Sequence, residues 1–369
     1  NYTVYFDSNG GSAVPAIENV FYNATIIPPE DPVRDGYSFD GWYKERELIN
    51  KWNFDTDTVT DDIWLYTGWK SGADYVLGPA VTGAFYVDGS LVVRGSGPMY
   101  DYTAEGSPVY GIRDLIKSLI IAPGVETVGE NAFYNCDKVE SVTIASTVTT
   151  IKNGAFQWCD KLSSVTFESP SILTSIEGMA FFDCTALKQI AIPDSVTSIG
   201  GSAFFGSGLT SITIPSSVET IGGSAFQNCK SLTTVTFADG STINTIANQA
   251  FRECTSLTSV NIPESVTLID SYAFYGCTPL ESISLPEMVT EIGAFAFEGC
   301  SALTSITIPA RVSRIRYRAF KDCTSLATIH NNYAGNQAIE GEAFLNCGSG
   351  AEGRRAFDDL ANTNFMDAI

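Results

Sequence analysis

The sequence that decides the fold is Ala273-Phe274-Tyr275-Gly276-Cys277-Thr278-Pro279-Leu280-Glu281-Ser282-Ile283-Ser284-Leu285-Pro286, followed after two residues by Val289-Thr290-Glu291-Ile292-Gly293. Its general form, A-F-x-x-C-x-x-L-x-x-[IV]-x-[IFL]-P-x-x-V-x-x-I-G, recurs ten times at intervals of 22 to 25 residues. The phenylalanines of the Ala-Phe pairs are Phe133, Phe156, Phe181, Phe204, Phe226, Phe251, Phe274, Phe297, Phe320 and Phe344. A fixed period of this length predicts a solenoid, in which each coil buries its apolar residues only against neighbouring coils.

A short alternating segment follows each Ala-Phe pair and predicts one strand of a long parallel sheet. Apolar residues alternate in it, as at Val142 and Ile144, and alternate side chains of a strand point to the same face. We expect about ten coils over residues 116–347. The two longest units carry extra residues at 169–171 and 239–241, in the loop after the strand, where a solenoid tolerates insertions.

Nine cysteines occupy one position of the repeat, three residues after the phenylalanine. They are Cys136, Cys159, Cys184, Cys229, Cys254, Cys277, Cys300, Cys323 and Cys347, while the fourth unit has Ser207 instead. Zinc sites need ligands paired at short spacing, so we interpret this column as small buried side chains with free thiols. Neighbouring coils lie within disulfide range, but parallel side-chain directions, the odd count and Ser207 disfavour pairing.

The composition argues against several classes of partner. Forty-two acidic and 21 basic residues give a formal charge of −21, which is spread along the chain. Nucleic-acid binding needs clustered Lys and Arg, so we expect no nucleic-acid partner. No run of about 18 apolar residues occurs, which predicts no membrane insertion of this segment. No signal peptide is visible, but the chain begins at Asn1 without Met, and we expect it to be trimmed.

Residues 1–70 are predicted to form a separate small unit. Residues 2–6 alternate as a strand, and the aromatic segments 37–43 and 62–69 predict later strands. Nearly all of residues 2–69 resemble the internalin B-repeat (Listeria–Bacteroides repeat) family. The resemblance rests on the sequence segments FDSNGG, DGYSFDGWY, WNFDTDTV and LYTGW. The resemblance implies a β-grasp-like module of bacterial surface proteins, which serves as a spacer or accessory binding unit.

Four carboxylates of this unit raise the alternative of a calcium site. They are Asp55, Asp57, Asp61 and Asp62. The segment lacks the glycine and the closing glutamate of a calcium-binding loop. We therefore interpret it as a solvated acidic turn and predict no metal.

Residues 71–115 are predicted to comprise a short linker at 71–73 and an atypical start of the array. Residues 84–93 predict a hairpin around Asp88-Gly89. A solenoid needs such a cap because its first coil has no neighbour on one side. At the other end the period is lost, and two alternatives stay open for residues 348–369, a short helical cap or a frayed tail.

The repeat departs from ordinary leucine-rich repeats, which carry Asn or Cys after the strand, because here Cys precedes the strand. With the Ala-Phe pair, the strand-ending Pro and the hairpin followed by GSGPMYDY, it resembles the BspA-like (treponemal-type) leucine-rich-repeat surface proteins over residues 84–347. The resemblance implies a mainly β fold, namely a right-handed leucine-rich-repeat solenoid with a long parallel sheet. In this chain a small β-grasp-like domain would precede the solenoid.

Residues for catalysis are hard to find. His330 is the only histidine, and it occupies the exposed middle position of the last strand, where the coil before has Thr307. One histidine leaves no His cluster for a metal and no Cys-His or Ser-His pair for nucleophilic catalysis. We predict no enzyme activity and no cofactor.

The exposed strand positions form a surface of serine and threonine. They include Ser141, Thr143, Ser164, Thr166, Ser211, Thr213, Thr234, Thr236, Ser282, Ser284, Ser305 and Thr307. Cross-strand pairing of these side chains explains them structurally. Binding hot spots favour Trp, Tyr and Arg, so we expect this surface to make only weak or multivalent contacts.

Large side chains concentrate instead beside the Ala-Phe pairs. They are Tyr134, Trp158, Met179, Phe182, Phe205, Tyr272, Tyr275 and Phe295, with Tyr317 nearby. Tyr272, Tyr275, Phe295 and Tyr317 come from three consecutive coils and should lie within roughly 10–15 Å of one another. We hypothesise that these four are the ligand-binding residues. The alternative is that they are partly buried against neighbouring coils.

Four arginines stand out against the acidic composition: Arg311, Arg314, Arg316 and Arg318. One interpretation is a site for an anionic glycan or a carboxylate. The interpretation we favour is ion pairing between coils, with Arg314 opposite Glu291 and with Arg316 and Arg318 opposite Glu340 and Glu342. Surface pairs of this kind contribute little individually.

The resemblance to BspA-like proteins implies adhesion, meaning non-catalytic recognition of proteins or glycans on host or neighbouring cells. It also implies a bacterial protein that is exposed at the cell surface or secreted, and we expect a monomer. The alternative is a passive structural spacer that holds another domain away from the cell envelope. An enzyme is the least favoured class.

Overall fold

The structure is a computed structural model that describes residues 1–72, 74–333, 335 and 337–348. Within these ranges the regular structure is β except for one 3₁₀ helix, Tyr110–Leu115. The mainly β repeat fold predicted from the period is confirmed. The two alternatives for residues 348–369 concern residues that, after Gly348, lie outside the described part of the chain.

The N-terminal module is a four-stranded sheet. Its strands are β1 (Tyr2–Asp7), β2 (Ile17–Val20), β3 (Ser38–Tyr43) and β4 (Ile63–Lys70), in the order β2-β1-β4-β3 with β1 and β4 parallel. Because apolar residues alternate along the central strands, one face buries Val4, Phe6 and Leu65 together with Trp42. The opposite face carries the intervening aromatic residues of β1 and β4.

A hairpin begins the repeat array. The strands are β5 (Tyr75–Val76), β6 (Val81–Phe85), β7 (Ser90–Gly95) and β8 (Gly97–Pro98). The turn places Gly89 at φ +89°, a backbone conformation that glycine adopts without steric cost. Strand β7 pairs in parallel with the first coil, with Leu91 opposite Leu119. The hairpin therefore covers the apolar end of the array, as expected of a cap.

The coils contribute short strands from residue 118 to residue 339. They are β9 (Ser118–Ile121), β10 (Val125–Val128), β11 (Ser141–Ile144), β12 (Thr150–Ile151), β13 (Ser164–Phe167), β14 (Ser175–Ile176), β15 (Ser198–Ile199), β16 (Ser211–Ile214), β17 (Thr220–Ile221), β18 (Thr234–Phe237), β19 (Thr245–Ile246), β20 (Ser259–Asn261), β21 (Leu268–Ile269), β22 (Glu291–Ile292), β23 (Ser305–Ile308), β24 (Arg314–Ile315), β25 (Thr328–Asn331) and β26 (Ala338–Ile339).

The strands of the repeat motif stack in parallel with equivalent positions of the repeat in register. In β11 and β13, Val142 lies opposite Val165, and Thr143 lies opposite Thr166. The apolar positions face the core and the hydroxyl residues face solvent, as predicted. Cross-strand hydroxyl and β-branched pairs stabilise such a surface by a fraction of a kcal/mol each, about 0.2–1 kcal/mol.

The long parallel sheet predicted for these strands is present, and its ladder of hydrogen bonds is interrupted twice. Its segments are β5-β6-β7-β9-β11-β13, then β16-β18-β20, then β23-β25. The first interruption falls at the coil that contains Ile190 and Ile192, and the second falls at the coil that contains Ile283 and Leu285. These four inward-facing residues are 7–8% exposed. The first interruption follows the coil with the 169–171 insertion. Nothing in the contacts explains the second.

A second parallel sheet, which the sequence pattern did not predict, runs along the V-x-x-I-G part of each coil. It joins β8, β10, β12, β14, β15 and β17, and it continues as β19, β21, β22, β24 and β26. Most of its strands are two residues long, as at Thr150–Ile151. Such strands are too short to show alternation, so periodicity could not reveal them.

The repeated phenylalanines form one continuous column in the core. Neighbouring rings from Phe133 to Phe344 are nearly parallel, with centroids 5.1–5.6 Å apart. The cysteines form a second column, and all nine are buried free thiols, as predicted. From Cys159 onward each thiol donates to the carbonyl oxygen of the phenylalanine in the preceding coil, at 2.9–3.4 Å. The repeat therefore keeps Cys because it is a small buried side chain with a weak donor.

We expect the eight thiols before Cys347 to resist alkylation in the native state. Burial raises the pKa of Cys136, Cys229 and Cys300 to about 12, and the thiolate is the reactive form. Cys347 lies in the last coil that the structure describes, and among the described residues this coil packs against one neighbour, the coil of Phe320. Timed alkylation with mass spectrometry should show Cys347 reacting first and the others reacting only in denaturant. An interior thiol that reacts as fast as Cys347 would contradict this arrangement.

Candidate functional site

The residues beside each Ala-Phe pair lie in a turn with an unusual backbone. In every coil the residue two before the phenylalanine and the residue two after it have positive φ, between 50° and 76°. This left-handed conformation costs an L-residue roughly 1–2 kcal/mol, and Gly and Asn tolerate it best. The later position follows that rule in most coils, with Asn, Asp or Gly in eight of ten.

The earlier position departs from the rule in eight of ten coils, which carry Met179, Ser202, Ser224, Gln249, Tyr272, Phe295, Arg318 and Glu342. Asn131 and Gly154 fill this position early in the array, but Tyr272 and Phe295 fill it in coils seven and eight, at φ 59° and 60°. Two bulky residues there cost roughly 2–4 kcal/mol together. The local backbone does not account for the aromatic residues, so their selection has another cause.

The structure brings the four predicted binding residues into direct contact. The rings of Tyr272 and Phe295 stack at 4.5 Å and 8°. Tyr317 meets Phe295 edge-on at 5.4 Å, and Tyr275 lies 5.7 Å from Tyr272. Contacts of this kind contribute about 0.5–1.5 kcal/mol each, which offsets the backbone cost. The aromatic cluster, defined as these four residues, is therefore close to neutral for stability.

The cluster is also half-buried, which is the alternative raised by the sequence. Tyr272, Tyr275 and Phe295 are partly covered by neighbouring coils, and Tyr317 is 36% exposed. The cluster therefore presents ring edges and partial faces along one edge of the solenoid.

Two guanidinium groups flank the aromatic cluster. Arg252 lies in the preceding coil, 5.5 Å from the ring centroid of Tyr272 and 5.2 Å from that of Tyr275. Arg318 lies at the other end, 4.8 Å from the ring centroid of Tyr317. A hydrogen bond to Glu342 raises the pKa of Arg318, and the same bond lowers the pKa of the carboxyl group. The aromatic centre thus lies between the guanidinium of Arg252 at one end and the Arg318–Glu342 ion pair at the other.

Two buried polar atoms near the cluster have no hydrogen-bond partner among the residues that the structure describes. They are Nε of Arg252 and Oε2 of Glu298, which occupy the coils before and after Tyr275 at the same position of the repeat. The other oxygen of Glu298 accepts from Lys321 at 2.9 Å. Unsatisfied buried polar atoms are rare in native proteins and call for an explanation, such as a water or ligand.

The arginine cluster makes ion pairs between coils, but not all of the predicted ones. Arg318 pairs with Glu342 as predicted. Glu291, however, pairs with Arg316 at 2.5 Å and not with Arg314, although Arg314 is its strand partner. Arg316 also approaches Glu340 at 3.8 Å. The prediction for Arg314 is wrong because residues opposite in the strand point to solvent, while Arg316 reaches back across the turn.

The other sequence candidates lie where the pattern placed them. His330 is exposed and opposite Thr307. In the acidic turn, Asp57 pairs with Lys44 and Asp62 accepts from the backbone of Thr3. Within the described ranges no three His, Cys, Asp or Glu side chains group to hold a metal, and no helix has the length and hydropathy to span a bilayer.

Sequence reasoning missed a polar cluster that joins the module to the cap. Asp40 Oδ2 accepts from the hydroxyls of Tyr43 and Tyr86, at 2.5 and 2.6 Å, and Arg94 donates to the Tyr86 hydroxyl at 2.7 Å. Lys70 Nζ lies 3.1 Å from the other Asp40 oxygen. Burial raises the pKa of Asp40, but the hydrogen bonds from Tyr43, Tyr86 and Lys70 outweigh it, so the pKa lies below its ordinary value.

Backbone and apolar contacts extend this junction. Val87 N donates to Trp69 O, and Ser71 N, in the predicted linker, donates to Phe85 O. Tyr43 and Tyr86 pack with Val92, and Ile120 packs against this group. Val92 and Ile120 occupy outward strand positions where later coils carry Thr143 and Thr166, so their apolar character was the signal that something covers them.

Comparison with known families shows which family the chain belongs to. The family model for the BspA type leucine rich repeat region (6 copies) matches residues 113–233 and 220–350, which is more than half of the 369 residues. The chain belongs to the BspA-type leucine-rich repeat family. The model of the Listeria-Bacteroides repeat domain matches residues 2–67 of this BspA-type chain. Repeats of this kind are typical of bacterial surface proteins, and both resemblances inferred from the sequence are confirmed.

Relatives and solved structures agree with this assignment. The BspA-type chain is 46% identical over 69 residues to a putative Gly-rich membrane protein of Evansella cellulosilytica, and 32% identical over 94 residues to internalin H of Listeria monocytogenes. These segments are 19% and 25% of the chain but only 8% and 15% of the relatives. A leucine-rich repeat protein from Bacteroides ovatus matches with a TM-score of 0.51 and 27% identity, over 73% of this chain and 79% of that one.

Proposed function

We propose that the protein is a non-catalytic adhesin, exposed at the bacterial surface or secreted, that recognises proteins or glycans on host or neighbouring cells. The solenoid is the rigid scaffold, and the aromatic cluster of Tyr272, Tyr275, Phe295 and Tyr317 is the contact surface. The observation that carries this proposal is the stacking of Tyr272 on Phe295, which occupy left-handed backbone positions that none of the other eight coils fills with an aromatic residue. Residues that break a local rule without a gain in stability are candidates for function.

The chemistry of the cluster favours a protein partner over a sugar. The ring of Tyr272 lies between the guanidinium of Arg252 and the ring of Phe295, so little of its face is open for stacking on a sugar. Tyrosine and arginine are enriched at binding hot spots of protein interfaces. The flanking Arg252 would attract an acidic group of the partner, while the net charge of −21 on the chain would disfavour strongly acidic surfaces elsewhere.

Replacing Tyr272, Phe295 and Tyr317 together with serine should abolish binding without unfolding the chain. Serine already occupies the same repeat positions at Ser202 and Ser271, so we expect stability to change by no more than about 1 kcal/mol. Binding of the full chain to immobilised fibronectin, laminin, fibrinogen and collagen is measured by biolayer interferometry. The matched control makes the same replacement with serine at Phe182 and Phe205. These two rings stack on each other at 4.6 Å on another part of the same edge.

The results separate adhesion from the alternative of a passive spacer. Loss of binding in the triple variant, with retention in the Phe182 and Phe205 control, supports the proposed site. Equal binding by the wild-type chain, the triple variant and the control variant would show that the contact surface is elsewhere. Absence of binding by the wild-type chain to all four matrix proteins would favour the spacer, which the closely bonded junction around Asp40 would also suit.

A further inference from the structure

A second surface of different chemistry lies on the outer face of the N-terminal module. Strands β1 and β4 are parallel neighbours, with Tyr5 opposite Trp64 and Asp7 opposite Tyr66. These four residues alternate with the buried core residues, so they share the face that points away from the module core. The outer platform is defined as these four residues together with Arg46.

The rings of the outer platform are ordered and accessible. Tyr5 and Trp64 stack at 4.8 Å and 18°, and Trp64 remains 51% exposed. The pairing of β4 with β3 covers Tyr66 to Lys70 and stops short of Trp64. The indole is therefore supported by Tyr5 on one side and open to solvent over much of its surface. This differs from the aromatic cluster of the solenoid, where ring faces cover one another.

Polar groups stand beside Tyr66, the next ring of the outer platform along β4. The guanidinium of Arg46 lies 4.9 Å from the ring centroid of Tyr66 and 3.0 Å from Asp7 Oδ2. Only one of the five N–H donors of Arg46 is used by Asp7. The pair is locally neutral, and it offers hydrogen-bond donors and carboxylate lone pairs beside Tyr66, which lies on the same face of β4 as the open ring of Trp64.

The outer platform is continuous with the junction to the solenoid. Tyr66 packs against the group formed by Tyr43, Leu48, Ala84, Tyr86 and Val92. One end of the platform is thereby held by an interface that is already formed, and ordered groups bind with a smaller entropic cost.

We propose that the outer platform is a binding site for neutral carbohydrate, with a sugar ring against the open indole of Trp64 and its hydroxyls bonded to Arg46 and Asp7. An open aromatic ring accepts the apolar C–H face of a pyranose, and a neutral donor–acceptor pair matches adjacent hydroxyls better than it matches a charged group. A net charge of −21 on the chain disfavours anionic glycans. This site goes beyond the proposed protein-binding cluster and is independent of it.

The test measures binding of neutral oligosaccharides of glucose, galactose, mannose and N-acetylglucosamine to the full chain by calorimetry and by acrylamide quenching of tryptophan. Sugars are supplied up to about 10 mM, above a millimolar Kd. We expect at least one sugar to bind and to protect Trp64 from quenching. Trp64→Ala and Tyr5→Ala should each weaken that binding about tenfold or more, and Arg46→Gln should weaken it less.

Matched controls keep the result decisive. Trp158→Ala removes an exposed tryptophan of the solenoid, 38% exposed and in contact with Tyr134, and it should leave sugar binding unchanged. The triple serine variant of the aromatic cluster should also bind sugar normally, so failure of one site is distinguishable from failure of the other. If no sugar binds the wild type, or if Trp64→Ala and Arg46→Gln bind it as tightly as the wild type, the inference is overturned.

Discussion

Replacing Phe204 with alanine is expected to destabilise the array by about 3–5 kcal/mol, the usual cost of truncating a fully buried phenylalanine. The ring is completely buried, and it stacks on Phe181 and Phe226 at 5.4 Å on both sides. Because each coil is stabilised by its neighbours, one cavity weakens two interfaces. Urea unfolding followed by circular dichroism should show a lower midpoint and a division of the transition into two steps.

The adjacent residue supplies the control for this prediction. Phe205 is the same residue type in the same coil, but it is half-buried on the solenoid edge and stacks only on Phe182. Phe205→Ala should cost about 1–2 kcal/mol. Equal destabilisation by the two substitutions would contradict the assignment of Phe204 to a continuous core column.

Replacing Asp40 with alanine is expected to loosen the junction between module and solenoid by about 3–5 kcal/mol, because it leaves the charge of Arg94 and the hydroxyls of Tyr43 and Tyr86 without their shared acceptor. The side chain of Asp40 is only 11% exposed. Hydrogen exchange at the amides of Ser71 and Val87, which bond across the junction, should accelerate by roughly 140- to 3,700-fold, the equivalent of that free energy.

Asp74→Ala is the matched control, since Asp74 also pairs with Lys70 but is 40% exposed, and such pairs contribute about 0–1 kcal/mol. The pH dependence gives a further check. Because the folded-state pKa of Asp40 lies below 3.8, its contribution is complete above that pH and is lost as pH falls through the folded-state pKa. Asp40→Asn should remove this part of the acid sensitivity. Equal exchange in Asp40→Ala and Asp74→Ala would contradict the described junction.

The repeat made the core predictable from the sequence. Phe274, Cys277 and Leu280 recur at fixed spacing, and in a solenoid a recurring apolar position can be buried only by the next copy of itself. The alternation at Val142 and Ile144 set the inward face of the strands in the same way. These are local patterns, and the structure places all of these residues in the core.

Features that depend on chain geometry or on distant contacts could not be predicted in the same way. Two-residue strands such as Thr150–Ile151 are too short to show a period. The left-handed φ of Tyr272 could not be predicted because tyrosine rarely adopts that conformation. The junction joins Asp40 to Tyr86, 46 positions apart, so no local motif marks it. Size and spacing along the repeat indicate the four site residues, whereas the contacts of Tyr272 and Tyr275 with Arg252 depend on side-chain positions that the sequence does not encode locally.

The most direct test of the account is hydroxyl-radical footprinting of the full chain with and without the tightest-binding matrix protein from the interferometry panel. The account predicts lower modification of Tyr272, Tyr275, Phe295 and Tyr317 in the complex. Phe182 and Phe205 on the same edge should be modified equally in both samples. Unchanged modification of the four cluster residues, with protection confined to the Ser/Thr surface or another region, would contradict the claim that this edge is the contact surface.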